Sequence, residues 1–274
     1  MNSDFRQQWP LLIASVREAA RDIFSRAQSG RQAAERKRDG SLLTATDLML
    51  QEGISRILSA RFPDIPVLGE EMTEAEQTAI LATGNCWLLD PLDGTSNFSH
   101  GIPVYSVSLA LLLDGEVVAG LVYDPNRDEC FHALKGLGAY LDQQALDRRN
   151  DAPTQLAHAM AIIDTKRLPT DLAIAIATEN PYHSQRSFGS VALDWCWLAA
   201  GRIQTYLHGK QKLWDFAAGA LIAEEAGCLA LTMQNAPILA APLTLTARSA
   251  VGACPSLAET WPAWIRRHHQ PGQA

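Results

Sequence analysis

Apolar positions along the chain change period twice. Trp9, Leu12, Ile13, Val16, Ala20, Ile23 and Phe24 recur at helical spacing, which predicts an amphipathic helix with Pro10 in its first turn, where a missing N–H costs nothing. A polar, basic stretch over residues 28–41 reads as a loop or hairpin. The helical period resumes at about residues 46–60, with Leu50, Ile54, Ile57 and Leu58 on one face and Thr44 and Asp47 placed as a capping box ahead of it. The period then shortens. Pro66-Val67-Leu68 and residues 86–89 are apolar runs that predict buried strands. Residues 105–113 and 116–123 predict two strands joined at Asp114-Gly115, a strong two-residue hairpin signal, and a turn at Asp124-Pro125 leads to a further strand at 129–134.

Beyond residue 146 strands and helices alternate. A strand is predicted at 159–164, a helix or strand at 171–178, a helix at 190–200 stopped by Gly201, a strand at 203–207, and an Ala-rich helix at 216–226 stopped by Gly227. Such alternation predicts an α/β second half. The boundary falls in the polar stretch 145–155 around Pro153, dividing the chain into an N-terminal α+β half, residues 1–150, and a C-terminal α/β half, residues 151–274. The tail after Trp264 reads as a frayed, solvated end.

The 274 residues carry 23 Lys and Arg against 30 Asp and Glu, a formal charge of −7. That balance argues against nucleic acid bound through a basic surface and against attraction to anionic membranes. No apolar run approaches the roughly 20 residues of a membrane span, and the first nine residues lack the apolar core of a secretory signal. The five cysteines are scattered and contain no CxxC pair, so they read as buried, reduced thiols. Together these features imply a cytoplasmic protein.

Chemistry concentrates at residues 87–98. There an apolar strand, Trp87-Leu88-Leu89, runs into Asp90-Pro91-Leu92-Asp93-Gly94-Thr95-Ser96-Asn97-Phe98. Ligands gather beyond the carboxyl ends of strands. Two adjacent carboxylates repel unless a hard cation lies between them, and magnesium prefers carboxylate oxygen. Gly94 allows close backbone approach, and the N–H groups of residues 94–97 could cradle a phosphate. Taken singly, Glu70 after Gly69 is a loop acid, Asp47 a capping acid and Asp215 the N-cap of the Ala-rich helix.

Taken together, Thr44-Ala45-Thr46-Asp47, Gly69-Glu70-Glu71, the 90–98 segment and Trp214-Asp215-Phe216-Ala217-Ala218-Gly219 resemble the inositol monophosphatase family of lithium-sensitive phosphatases. The Lys-Gly-Leu-Gly-Ala-Tyr run at 135–140 is similar to the end of that family's meander. The resemblance covers roughly residues 10–250. It implies a layered αβαβα sandwich of the inositol monophosphatase / fructose-1,6-bisphosphatase type. It also implies two or three magnesium ions: one held by Glu70, Asp90 and the Leu92 carbonyl, one by Asp90, Asp93 and Asp215, and a weaker one near Glu70. Glu70 and Thr95 are then the catalytic pair that orients and deprotonates water, with Asp47 fixing the Thr95 hydroxyl. Asp93, Gly94, Thr95, Ser96, Gly189, Ser190, Val191 and His208 would contact the substrate, a small phosphorylated compound.

An acidic residue usually stands at the place of His208, so the ester's alcohol is left open. The alternatives are a 3′-phosphoadenosine-type nucleotidase, a fructose-1,6-bisphosphatase and a histidinol phosphatase. Lys166, Arg167, Arg186, Lys210 and Lys212 could supply charge for a second anionic group, and Arg36-Lys37-Arg38 lies in the loop expected to fold over the site. The resemblance further implies a homodimer as one assembly and, as a non-enzymatic alternative, action through a protein partner. A haloacid-dehalogenase reading of Asp90 and Asp93 fits poorly, because that motif spaces its aspartates two apart and lies near the start of a chain.

Overall fold

In the computed structural model, which describes residues 3–27, 35–36, 42–152 and 154–269, the first helix begins earlier than its apolar period suggests. Helix α1 spans Ser3–Ala27. Phe5, one turn ahead of Trp9, is also buried and stacks on it with ring centroids 5.8 Å apart. Pro10 is therefore inside the helix and not in its first turn, on the exposed side, where the backbone carbonyl it frees can meet water. Strands β1 (Glu35–Arg36) and β2 (Leu42–Leu43) pair antiparallel, as a hairpin requires; Lys37 and Arg38 lie outside the described residues. Helix α2 spans Ala45–Arg61 behind the expected capping box, in which the Thr44 N–H donates to Asp47 Oδ2 at 2.7 Å.

Seven strands follow in one sheet: β3 (Val67–Gly69), β4 (Cys86–Asp93), β5 (Ser106–Leu113), β6 (Glu116–Asp124), β7 (Glu129–Leu134), β8 (Ala139–Leu141) and β9 (Gln144–Leu146), in spatial order of sequence. Only β3 and β4 run parallel. Their crossover carries α3 (Glu74–Leu81). Its capping box, Thr73 with Glu76, was present in the sequence, but only Gln77 of the helix is buried, so no apolar stripe announced it. At the β5–β6 hairpin both Asp114 and Gly115 have positive φ, as a type I′ turn demands.

The second sheet has the order β11-β10-β12-β14-β13, from β10 (Met160–Asp164), β11 (Ser184–Arg186), β12 (Thr205–Gln211), β13 (Leu229–Leu231) and β14 (Arg248–Ala253). The ambiguous segment after β10 is a helix, α5 (Thr170–Glu179), ended by Asn180 in the left-handed region. Helices α6 (Val191–Ala199) and α7 (Leu213–Glu225) end before Gly201 and Gly227. Helix α8 (Thr260–His268) buries Trp261, Trp264 and Ile265, and His268 reaches Glu179 at 2.9 Å, which corrects the expectation of a frayed tail as far as His268; residues 270–274 lie outside the described residues. Its aromatic stripe docks the segment on the α5 side of the sheet, so the chain is not frayed there.

Alternation of side chains along the strands builds the layers. Trp87, Leu89, Leu109 and Leu121 pack against Leu12, Val16, Leu50 and Ile54 of α1 and α2. On the opposite face Cys86, Leu88, Ala110 and Val122 meet α6 and α7, which also pack against Ile162, Tyr206 and Ala250 of the second sheet. The far face of that sheet, with Ile163, Leu207 and Val251, is covered by α5 and α8. The result is the expected αβαβα sandwich. All five cysteines are free and buried, and burial pushes the Cys86 thiol up to about 12. Among the described residues no helix is long and apolar enough to cross a membrane.

Candidate functional site

Parallel pairing of β3 and β4 sets Gly69 opposite Leu89, and the Glu70 N–H donates to the Leu89 carbonyl at 3.0 Å. Glu70 and Asp90, twenty residues apart in sequence, therefore leave the sheet side by side. A second device brings in Asp93. In a regular strand, residues three apart point to opposite faces. Here Asp90 faces Ser108 and Asp93 faces Ser106, so β4 uses one residue more than β5 over that span. The bulge reverses the parity and turns both carboxylates toward the α6–α7 layer. Asp93 Oδ2 accepts from Ser190 Oγ at 2.6 Å and from the Ala192 N–H at 2.8 Å, at the start of α6. Asp215 lies in the first turn of α7, where its Oδ2 accepts from the Lys212 N–H at 2.9 Å. Ser108 Oγ ties that end of α7 to β5 by donating to the Trp214 carbonyl at 2.9 Å.

Gly94 follows with φ of 97°, and a Cβ there would fall 3.0 Å from the Val104 carbonyl. A side chain is excluded both by conformation and by space. This turn opens the short helix α4 (Thr95–Ser99). The Thr95 hydroxyl has the Leu92 carbonyl at 2.9 Å and Asp47 Oδ1 at 3.1 Å. Asp47 is thus both the capping acid of α2 and a partner of Thr95. Asn97 Nδ2 donates to the carbonyls of Val104 and Phe188, which holds the Gly189-Ser190-Val191 segment beside α4.

Burial first, then the charges of Glu70, Asp93 and Asp215, push the Asp90 carboxyl well above its ordinary range, against one hydrogen bond from the Leu92 N–H. Burial raises Asp93 to about 6 despite its Ser190 and Ala192 donors. Burial, then Asp93 and Glu70, raise Asp215. Among the described residues no three His, Cys, Asp or Glu side chains form a ready-made metal cage. The donor set nevertheless fits a hard divalent cation: oxygen ligands only, on one side of the sheet, with Asp90 2% and Asp93 7% exposed and Asp90 raised by the charges of Glu70, Asp93 and Asp215. A cation among them would relieve a repulsion that protein donors leave largely unanswered.

His208, on β12, is placed differently. It is 3% exposed, its Nε2 lies 3.0 Å from Asp164 Oδ2, and its Nδ1 accepts from the Lys210 N–H at 3.2 Å. Both ring nitrogens have protein partners. Two cavities of about 440 and 450 Å³ open elsewhere, the first beside Gly209 and Lys210 and the second beside Arg186 and Phe188; none of the four carboxylates lines either.

Sequence reasoning missed Ser106, Ser108, Gln77, Asp164 and Asp194. Gln77 Nε2 donates to the Gly69 and Glu70 carbonyls and braces that turn. Asp194, one turn into α6, is buried with Oδ1 unpartnered among the described residues, and burial raises its carboxyl well above the ordinary range. Strand serines and a helical acid carry no motif; only the four-residue step from Ser190 to Asp194 could have flagged the last.

Residues 7–270 match the inositol monophosphatase family. The chain is 34% identical over 229 residues to the Nus factor SuhB of Pasteurella multocida, covering 80% of this chain and 84% of that one. It is 32% identical over 239 residues to the inositol-1-monophosphatase of Synechocystis, covering 86% and 82%. The crystal structure of the extragenic suppressor protein suhB from Bartonella henselae superposes with a TM-score of 0.81 at 25% identity, over 94% of this chain and 98% of that one.

Proposed function

The chain belongs to the inositol monophosphatase family, a family of phosphatases, and on that premise we propose that it is a magnesium-dependent phosphomonoesterase acting on a small phosphorylated alcohol. The observation that carries this reading is the placement of Asp90 and Asp93 by one bulge and Asp215 by one helix start, where burial raises all three carboxyls. Magnesium, when bound, supplies Lewis acidity to phosphate oxygens and acidifies water. Glu70, Asp90, Asp93, Asp215 and the Leu92 carbonyl would hold two or three such ions.

The remaining chemistry belongs to the chain. The Thr95 hydroxyl has one proton for two acceptors, the Leu92 carbonyl and Asp47. When it donates to Asp47, its lone pairs face outward and take a proton from the attacking water as its own proton moves to Asp47. Asp47 is prepared for this because Thr44 already anchors its other oxygen. Glu70 orients the water from the β3 end. The first-turn N–H groups of Gly94, Thr95 and Ser96 lack intrahelical acceptors and would take the phosphate oxygens. Water attacks phosphorus in line, so no phosphoenzyme forms. Gly189, Ser190 and Val191 would bound the alcohol, and His208 would shape that side through its neighbours. The same reading takes residues 1–150 and 151–274 as halves of one catalytic unit in a cytoplasmic enzyme, inhibited by millimolar lithium and assembled as a homodimer.

The test is phosphate release with magnesium from inositol phosphates, fructose 1,6-bisphosphate, adenosine 3′,5′-bisphosphate, histidinol phosphate and glycerol phosphate. Release from at least one ester, abolished by EDTA, is expected. Asp215→Asn should lower turnover by about 100-fold or more; near-normal turnover in that variant would remove Asp215 from the site. The name of the Pasteurella relative favours a second reading, action through a partner. A pulldown with Asp90→Asn that retains a partner while activity is lost would support it.

A further inference from the structure

β10 and β12 pair in parallel with Asp164 directly opposite His208. The turn after β10, Thr165–Arg167, lies so close on β12 that a Cβ at Gly209 would fall 1.7 Å from the Arg167 carbonyl oxygen. Gly209 thus admits a turn that lays Lys166 and Arg167 on β12, whose end leads through Lys210 to Lys212. All four of these side chains are exposed, and among the described residues the three lysines have no carboxylate partner. Arg167 does have one: its Nη1 donates to Asp164 Oδ2 at 2.8 Å. That bond uses one end of the guanidinium; Nε and Nη2 have no partner among the described residues. His208 holds Asp164 from the buried side. The Lys212 N–H donates to Asp215 Oδ2 at 2.9 Å, which ties the end of this run of cations to the first turn of α7. A cationic rim in a chain of net charge −7 therefore stands beside the proposed phosphate site, with a positioned, half-free fork at its centre.

We propose that Arg167, positioned by Asp164 and His208, selects substrates that carry a second anionic group, carboxylate or phosphate, beside the ester that is cleaved. The inference rests on the phosphatase reading above and names its substrate class. A guanidinium with two free donor sites binds such a group bidentately, whereas a neutral polyol leaves the fork and the three lysines unanswered.

Three esters on one three-carbon frame test it: glycerol 1-phosphate, 3-phosphoglycerate and glycerol 1,3-bisphosphate. In the wild-type protein kcat/KM should favour at least one of the two anionic esters over glycerol 1-phosphate by about 10-fold or more, a difference carried by KM. Arg167→Gln should reduce that ratio about 10-fold and Arg167→Lys should restore part of it. Which of the two anionic esters responds distinguishes carboxylate from phosphate. A wild-type ratio near one, or a ratio unchanged in Arg167→Gln, overturns the inference while leaving the phosphatase reading standing. No phosphate release from any ester, here or in the wider panel, overturns both.

Discussion

Asp164 shows how one side chain's partners set its response to acid. Burial raises its carboxyl, but the hydrogen bond from His208 and the charge of Arg167 outweigh that and hold it at about 2. A carboxyl lowered from its ordinary 3.8 contributes stability that is fully present above about pH 4 and is lost as pH falls toward 2. The contribution is on the order of 2 kcal/mol. His208→Ala should lose most of it at neutral pH, and its urea-unfolding free energy should fall less steeply than that of the wild type between pH 4 and 2. Parallel slopes would show that His208 does not hold Asp164. At this scale the sequence was partly legible. Asp90, Asp93 and Thr95 could be read because they are contiguous after an apolar strand. Asp164 could not, because its partner lies 44 residues away and only strand register brings the two together.

Two elements do most to place the carboxylates, the bulged end of β4 and the first turn of α7. Helix α7 lies on the sheet at Gly120 of β6, where a Cβ would fall 2.8 Å from the Ala218 carbonyl oxygen. That approach sets the depth of Asp215, three residues before Ala218. Gly120→Val should lift the helix, cost roughly 1–3 kcal/mol by overpacking and weaken the proposed magnesium binding, although Gly120 is none of the proposed ligands. Thermal unfolding and a magnesium titration of the same variant would check this; a stability loss with an unchanged titration midpoint would separate α7 packing from the site. The Ala-rich period announced α7 and the Asp-Gly turn announced the meander. The bulge was invisible, because a three-residue spacing of aspartates has no preferred face until the partner strand is known. β14 also escaped notice: Arg-Ser-Ala-Val-Gly-Ala offers small side chains without alternation, and pairing with both β12 and β13 makes it a strand.

Across the whole molecule, period alone suggests two halves of different character. It did not show that α6 and α7 would fill the space between two sheets, since a helix buried on both sides has no polar face to reveal its orientation. That layer shapes the proposed site, because it sets the α6 start against Asp93 and the α7 start against Ser108, the β5 partner of Asp90. Burial and the charges of Glu70, Asp93 and Asp215 all raise the Asp90 carboxyl, so these acids oppose the packing that assembles them. Magnesium at about 100 times its dissociation constant should add roughly 2.7 kcal/mol to unfolding if it binds only the folded chain. Asp90→Asn removes one charge from the centre of the set while keeping its shape. Differential scanning calorimetry should therefore show a higher melting temperature for Asp90→Asn than for wild type in EDTA, and almost no further rise with magnesium. A variant that melts lower than wild type in EDTA, or still gains the full magnesium increment, would mean that Asp90 is not where the repulsion and the cation meet.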